Sequence, residues 1–356
     1  MPSRNGRHAV ILAAGKGTRF KSNKPKVLHE ICGKPMITYL LDRLRALGIE
    51  RTWIVVGEGA DQVQSALSAF PVEFRLQSPQ LGTGHAVMTL LSSLREVSGS
   101  VLVLYGDTPL ISVPILERLF SEREQSQADE VLLTSKLEDP TGYGRIVRDN
   151  DGRVVDIVEE RDATADQRSI REVNAGFACF EADSLVGYLP LLTNDNRAGE
   201  YYLTDLVRII TAQGGRVEGI LSSGRDEIFG INNRVELSEA ERQLRRRINR
   251  HWMTEGVTLL DPARTVIDAD VELGADTTIL VGAVLRGMTR IGRGCQIGTY
   301  AYLENAVLGE NVRVEHCAMI RNTRIGDGET IPPFSRIDRA APSSGRAVSG
   351  SEWERG

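Results

Sequence analysis

IDADVELGADTTILVGAVLRGMTRIGRGCQIGTYAYL, residues 267–303, brings back an aliphatic residue every six positions: Ile267, Leu273, Ile279, Leu285, Ile291, Ile297 and Leu303. Four positions after each stands Val271, Thr277, Ala283, Thr289, Cys295, Ala301 or Val307, all small or β-branched. Hexapeptide repeats of this kind build β-helices, in which each repeat supplies one short strand and its aliphatic residue stacks into the interior of a prism. Past Leu303 the register slips, through Leu308, Val314, Ile320, Ile325 and Ile331. With three repeats closing one coil, residues 257–339 are expected to form about four coils of parallel β-helix. Residues 340–356, rich in Ser, Gly, Arg and Ala, read as a disordered tail.

Immediately upstream, Asn233–Glu255 carries Leu237, Leu244, Ile248 and Trp252 near helical spacing, with glutamates early and Arg245, Arg246, Arg247 and Arg250 late. That charge order complements a helix dipole, so 233–256 reads as a connecting helix whose arginines form a solvated or interdomain face. Before it, residues 1–232 alternate short apolar runs with amphipathic stretches. His8–Ala14, Thr52–Val56, Val72–Leu76 and Val101–Leu104 read as strands; Met36–Leu47, Asp61–Ala69 and His85–Leu94 read as helices. This is the pattern of βαβ units and a mostly parallel, Rossmann-like sheet, so the fold class is α/β followed by the β-helix. Such sheets bind ligands beyond the carboxyl ends of their strands.

The composition is that of a soluble globular protein, with 43 Lys and Arg against 48 Asp and Glu. That near balance gives no electrostatic reason to expect nucleic acid or an anionic membrane as partner. The apolar run Ala9–Ala14 is broken at once by Gly15-Lys16-Gly17, so it reads as a buried strand and not a signal peptide, and no stretch is long enough to span a bilayer. Cys32, Cys179, Cys295 and Cys317 are widely spaced and lack CxxC pairing, which points to free thiols in a reducing, cytoplasmic compartment.

The first strand leads into Leu12-Ala13-Ala14-Gly15-Lys16-Gly17-Thr18-Arg19, followed by Lys24-Pro25-Lys26. A glycine-rich turn after a buried strand lets backbone amides approach phosphate oxygens, and Arg19 and Lys26 can neutralise a triphosphate. The loop is neither a Walker A sequence nor a GxGxxG fingerprint.

LAAGKGTR with KPKVL, Gln77 with LGTGHA, then YGDTPL, GYGRI, VEERDAT, VNAGF, GEYYLTD and GINNR follow one another along the chain. Together they resemble the bacterial N-acetylglucosamine-1-phosphate uridylyltransferases, the first half of bifunctional enzymes that end in a left-handed β-helix acetyltransferase. The resemblance covers residues 8 to about 336. It implies transfer of a uridylyl group from UTP to N-acetylglucosamine 1-phosphate in peptidoglycan precursor synthesis. By the same resemblance, Leu12, Ala14, Gly15, Gln77, Gly82 and Thr83 would hold the nucleotide. Tyr105, Gly144, Glu159, Asn174, Tyr202 and Thr204 would hold the sugar phosphate, and Asp107 with Asn232 would bind Mg²⁺. Taken alone, Asp107 also suits the start of a turn before Pro109, and Asn232 suits a helix cap.

The reaction implied is in-line attack of a phosphate oxygen on the α-phosphorus, which needs positioning and charge stabilisation more than a general base. Arg19 is the candidate for the leaving pyrophosphate and Lys26 for the α-phosphate. The acetyltransferase of the bifunctional enzymes uses a histidine in later coils, whereas the last histidine here is His316. Acetyl transfer is therefore expected to be absent, leaving the prism as an assembly device that forms homotrimers, as in the family. The alternatives are another sugar-1-phosphate nucleotidyltransferase with a different sugar or NTP, and a non-catalytic scaffold that binds nucleotide sugars.

Overall fold

In the computed structural model, residues 6–222 and 228–339 are described; the tail expected over 340–356 lies outside them. The described residues divide into two compact units, the first drawn from residues 6–29 and 36–236 and the second from 30–35 and 237–339.

The apolar runs of the first unit form a nine-stranded sheet. Its strands are β1 (Arg7–Ala13), β2 (Arg51–Val56), β3 (Glu73–Leu76), β4 (Ser100–Tyr105), β5 (Glu130–Lys136), β6 (Arg145–Arg148), β7 (Val154–Val158), β8 (Glu172–Glu181) and β9 (Val217–Leu221). The order is β9-β5-β8-β4-β1-β2-β3, with β6 on β8 and β7 on β6. Neighbouring pairs among β4, β1, β2 and β3 are parallel, while β8 runs antiparallel between β4 and β5. Successive side chains point to opposite faces, so both faces of the nearly continuous apolar strands β1, β2 and β4 are buried, while the edge strand β3 is largely exposed. Ile11, Leu40, Leu104, Leu119 and Phe177 belong to one core layer; Val10, Trp53, Val103, Leu132, Phe180 and Leu206 belong to the other. The chain runs outward from β1 through β2 to β3 and then returns on the other side of β1 as β4. A switch point therefore lies between β1 and β4, where Leu12 pairs with Tyr105 and the strands end.

The expected helices appear as Met36–Ala46 and Ala60–Ala66, but His85–Leu94 is divided into Thr83–Met88 and Leu91–Leu94. The Thr89 hydroxyl donates to the Ala86 carbonyl (2.7 Å), and the Leu90 amide bonds to Val87 O (2.9 Å). This tightened turn drives Leu90 fully into the core. Among the described residues no helix is long and apolar enough to cross a membrane.

On the second face, Glu130 at the start of β5 is buried among apolar neighbours, and its Oε2 has no hydrogen-bond partner among the described residues. Burial alone pushes this carboxyl up to about 8. Glu130 lines a narrow cavity of about 20 Å³, room for one water, that also touches Tyr105, Asn174 and Thr204.

In the second unit the repeat closes into a left-handed parallel β-helix with three sheets of five, five and four strands, together with the small strand pair Glu30–Ile31 and Lys34–Pro35. Ile267 pairs with Leu285, and Leu285 with Leu303, one coil of 18 residues apart. Beyond Leu303 the coil shortens to 17: Leu303 pairs with Ile320, and Ile320 with Ile337. The shortening explains the slip in the sequence and corrects one interior position. Ala306 is fully buried and takes the small inward site, while Val307 is only half-buried. The stacked aliphatics from Ile267 to Ile331 are all buried, each contributing about 1.5–3 kcal/mol by leaving water. The segment Cys32–Lys34 is tied to this prism: the Ala269 amide donates to Cys32 O at 2.9 Å, and Lys34 pairs with Asp270 at 3.2 Å. Gly33 has φ +82°, and a Cβ there would come within 2.5 Å of the Asp268 carboxylate. Cys32, Cys179 and Cys295 are free and buried, and Cys317 is free and exposed.

Candidate active site

The loop after β1 is shaped by its glycines and anchored by its apolar residues. Gly17 adopts φ +59°, and a Cβ on it would meet the Lys26 side chain at 2.9 Å, so the loop can close on Lys26 only with glycine there. Arg19 sits in the turn Thr18–Phe20, fastened by Phe20, which is buried and stacked on His29 (ring centroids 4.5 Å). Lys26 opens the next turn, whose Val27 and Leu28 are buried. Both cationic residues thus project from short segments held by core contacts.

They converge on one acceptor. Arg19 Nη2 donates to Asn232 Oδ1 at 2.8 Å and Lys26 Nζ donates to the same oxygen at 2.9 Å. Lys26 Nζ also pairs with Asp107 Oδ2. Asp107 lies two residues past β4, and its carbonyl accepts the Ile231 amide at 2.9 Å, which brings the 230–232 segment alongside. The helix that follows, Arg234–Thr254, is capped by Asn233, whose Oδ1 accepts the Val235 and Glu236 amides at 2.9 Å each. Asn232 is therefore free of the capping role open to it in sequence, and its side chain faces the two cations.

Asp107 and Asn232 thus present two hard oxygens that share the Lys26 ammonium, with Arg19 also on the Asn232 oxygen. Among the described residues no group of three or more His, Cys, Asp or Glu is arranged to hold a metal. Two protein oxygens suit a small hard ion that keeps waters and is completed by phosphate oxygens, and not one caged wholly by protein.

These residues line a cleft of about 540 Å³ together with Leu12, Ala14, Gly15, Gln77, Gly82, Thr83 and Tyr105. Gln77 is buried, and its Nε2 donates to Gly82 O (2.9 Å) and to His85 Nδ1 (3.1 Å). The amide orientation is thereby set, with Oε1 remaining as an acceptor. Gly82 has φ +104°, and a Cβ there would lie 2.5 Å from Tyr201 O. Backbone bonds Gly84 N to Tyr201 O and Tyr201 N to Leu81 O, both 2.8 Å, pin LGTGHA against GEYYLTD. Gln80, Lys16, Thr18 and Glu200 also line the cleft, and Gln80 Nε2 donates to Ala14 O at 2.6 Å. None of these four stands out in the sequence as a ligand residue, because polar loop residues carry no periodic signal.

The sugar-side candidates form an adjoining group joined to the cleft by Tyr105. The Asn174 amide donates to Gly144 O (2.9 Å), and the Thr204 hydroxyl donates to Glu159 Oε1 (2.9 Å). Burial raises the Glu159 carboxyl above the usual range, with the Thr204 bond opposing it. The Tyr105 phenol is raised by burial first and then by Glu159 and Asp107. Between Asn174 and Ala178 the register of β8 against β5 shifts, and Gly176 in this bulge (φ +81°) would place a Cβ 2.7 Å from the Tyr105 ring. Tyr202 follows Tyr201 in the pinned segment, and its phenol is pushed up to about 12 by burial and by Asp162 and Glu159.

Residues 9–172 match the family model described as a MobA-like NTP transferase domain. The bifunctional protein GlmU of Geobacillus thermodenitrificans (strain NG80-2) is 46% identical over 331 residues, 93% of this chain and 72% of the relative. That of Halalkalibacterium halodurans is 42% identical over 95% of this chain and 74% of the relative. That of Syntrophotalea carbinolica is 46% identical over 89% and 68%.

Proposed function

The chain belongs to the family of the bifunctional protein GlmU, and from that premise we propose that its first unit transfers the uridylyl group of UTP to N-acetylglucosamine 1-phosphate and releases pyrophosphate. The observation that carries this reading is the convergence of Arg19, Lys26, Asp107 and Asn232 in the cleft at the β1/β4 switch point.

A phosphate oxygen of the sugar 1-phosphate attacks the α-phosphorus in line; one P–O bond forms as the bond to the β-phosphate bridging oxygen breaks. The nucleophile is already an anion, so no side chain need remove a proton. What must be overcome is the meeting of two anions and the charge left on pyrophosphate. Arg19, on the glycine-rich loop, takes the leaving pyrophosphate, and Lys26 takes the α-phosphate. Leu12, Ala14, Gly15, Gly82 and Thr83 enclose the nucleotide. Gln77 Oε1 accepts the uracil N3–H; cytosine presents an acceptor at that position, so the locked amide disfavours it. Tyr105, Gly144, Glu159, Asn174, Tyr202 and Thr204 hold the sugar phosphate, with Glu159 as acceptor for its hydroxyls. Asp107 and Asn232 would hold Mg²⁺, which when bound offsets the repulsion between the substrates' phosphates.

Within the prism we propose no acetyl transfer: its described coils carry one histidine, His316, lying edge-on to Phe334, and no lysine. Exposed Tyr300 and Phe334 support a role in homotrimer assembly. The test is initial-rate pyrophosphate release across a matrix of NTPs and sugar 1-phosphates, with EDTA and with acetyl-CoA as separate arms. Turnover with UTP and N-acetylglucosamine 1-phosphate that needs Mg²⁺ is expected; preference for another pair, or indifference to EDTA, overturns the reading.

A further inference from the structure

GYGRI and VEERDAT each contribute one residue to the sugar-side group, Gly144 and Glu159, and each also carries a charged neighbour with no part in it, Arg145 and Glu160. Arg145 is among the largest fully buried side chains of the protein. Its Nη2 donates to Glu160 Oε2 at 2.6 Å, and its Nη1 donates to the Tyr143 carbonyl. The same Glu160 oxygen accepts the Gly142 amide at 3.2 Å. Glu160 is held below the usual carboxylate range first by this arginine. One buried guanidinium therefore fastens the 142–145 turn to the end of β7.

Its place in the sheet gives this clamp a purpose. Arg145 pairs with Val158 on one side and with Val173 on the other. The residue after each of those partners is a sugar-side candidate, Glu159 and Asn174, and the residue before Arg145 is Gly144. The three groups thus rise from three adjacent strands at one level, directly beside the clamp. A Cβ on Gly144 would lie 3.4 Å from Glu159 Oε1, which is how closely backbone and carboxylate approach there.

Building on the uridylyltransferase reading above, we propose that Arg145, acting through Glu160 and the Tyr143 carbonyl, is a positioning residue that sets the spacing of Gly144, Glu159 and Asn174 and so governs affinity for the sugar 1-phosphate. It touches no reacting atom. Lysine cannot replace it, because an ammonium has no planar fork to hold a carboxylate and a carbonyl together.

The experiment compares the full chain with Arg145→Lys, Glu160→Gln and the double variant. Pyrophosphate release is followed against N-acetylglucosamine 1-phosphate at saturating UTP and against UTP at saturating sugar phosphate, with urea midpoints in parallel. In Arg145→Lys the sugar-phosphate KM is expected to rise ~10- to 100-fold, while the UTP KM stays within about twofold. Glu160→Gln should show the same split more weakly, and the double variant should be no worse than Arg145→Lys, since both act through one contact. Should Arg145→Lys fail to fold, Glu160→Gln carries the test, as its partly exposed amide keeps an acceptor for Arg145. Equal rises in both KM values, or a sugar-phosphate KM within about twofold of the parent in every folded variant, overturn the proposal. A parent chain that turns over no NTP and sugar-phosphate pair overturns the uridylyltransferase reading, and the clamp with it.

Discussion

Replacing Glu130 with leucine should make the first unit more stable as the pH rises. In the unfolded chain this carboxyl titrates near the ordinary 4.5; in the folded protein burial pushes it up to about 8. Between those values the native state holds a proton that the unfolded state has shed. Ionisation of Glu130 therefore costs nothing below the lower value, and stability is lost steadily as the pH climbs to the upper one. At about 1.4 kcal/mol per pH unit the loss is on the order of 3–5 kcal/mol by pH 8. An apolar residue of similar size also leaves no orphaned Oε2 in the core. Urea titrations of parent, Glu130→Leu and Glu130→Gln at about pH 5, 7 and 8.5 measure the effect. With Trp252→Phe and Trp353→Phe introduced into all three proteins, the fluorescence of Trp53, buried in the same unit, separates its transition from that of the prism. The difference between parent and Glu130→Leu should widen by several kcal/mol across that range. A difference that stays flat would falsify the idea of a buried, neutral carboxylic acid, because every other titrating group is common to both proteins.

Asp107→Ala is expected to reduce turnover at least a hundredfold with the first unit still folded; near-parental turnover would contradict its assignment to the metal and phosphate site. Gln77→Leu should cut the preference for UTP over CTP by about tenfold, since the oriented acceptor is lost; an unchanged ratio would place base recognition elsewhere. Gly33→Ala forces a side chain into a left-handed backbone position against Asp268, so the second unit should lose ~1–3 kcal/mol in urea titrations read by Trp252, with uridylyl transfer intact. An unchanged midpoint would mean the 30–35 segment is not tied to the prism as its contacts indicate.

Some features were legible in the residues because they are local or periodic. The six-residue spacing announced the β-helix, and even its slip after Leu303 marked the change from an 18- to a 17-residue coil. The buried strands and the glycine-rich loop after β1 could likewise be read from adjacent residues. The divided helix at Thr89 could not, because a side chain bonding back to its own turn competes with the helix over only a few residues.

The site combines both kinds of information. Residue identity established which groups can carry charge and accept hydrogen bonds, and the order of the motifs pointed to the family. Asn232 and Asn233, by contrast, are chemically identical, and only the fold shows Asn233 capping the helix while Asn232 turns to Arg19 and Lys26. In the same way Glu159 and Glu160 are a plain acidic pair on paper, yet one is half-buried and accepts the Thr204 hydroxyl while the other is held by Arg145. Both pairs lie just outside regular elements, past the end of β7 and before the helix Arg234–Thr254; there each side chain's direction is set by contacts with residues far away in the chain, and spacing alone carries no record of those partners.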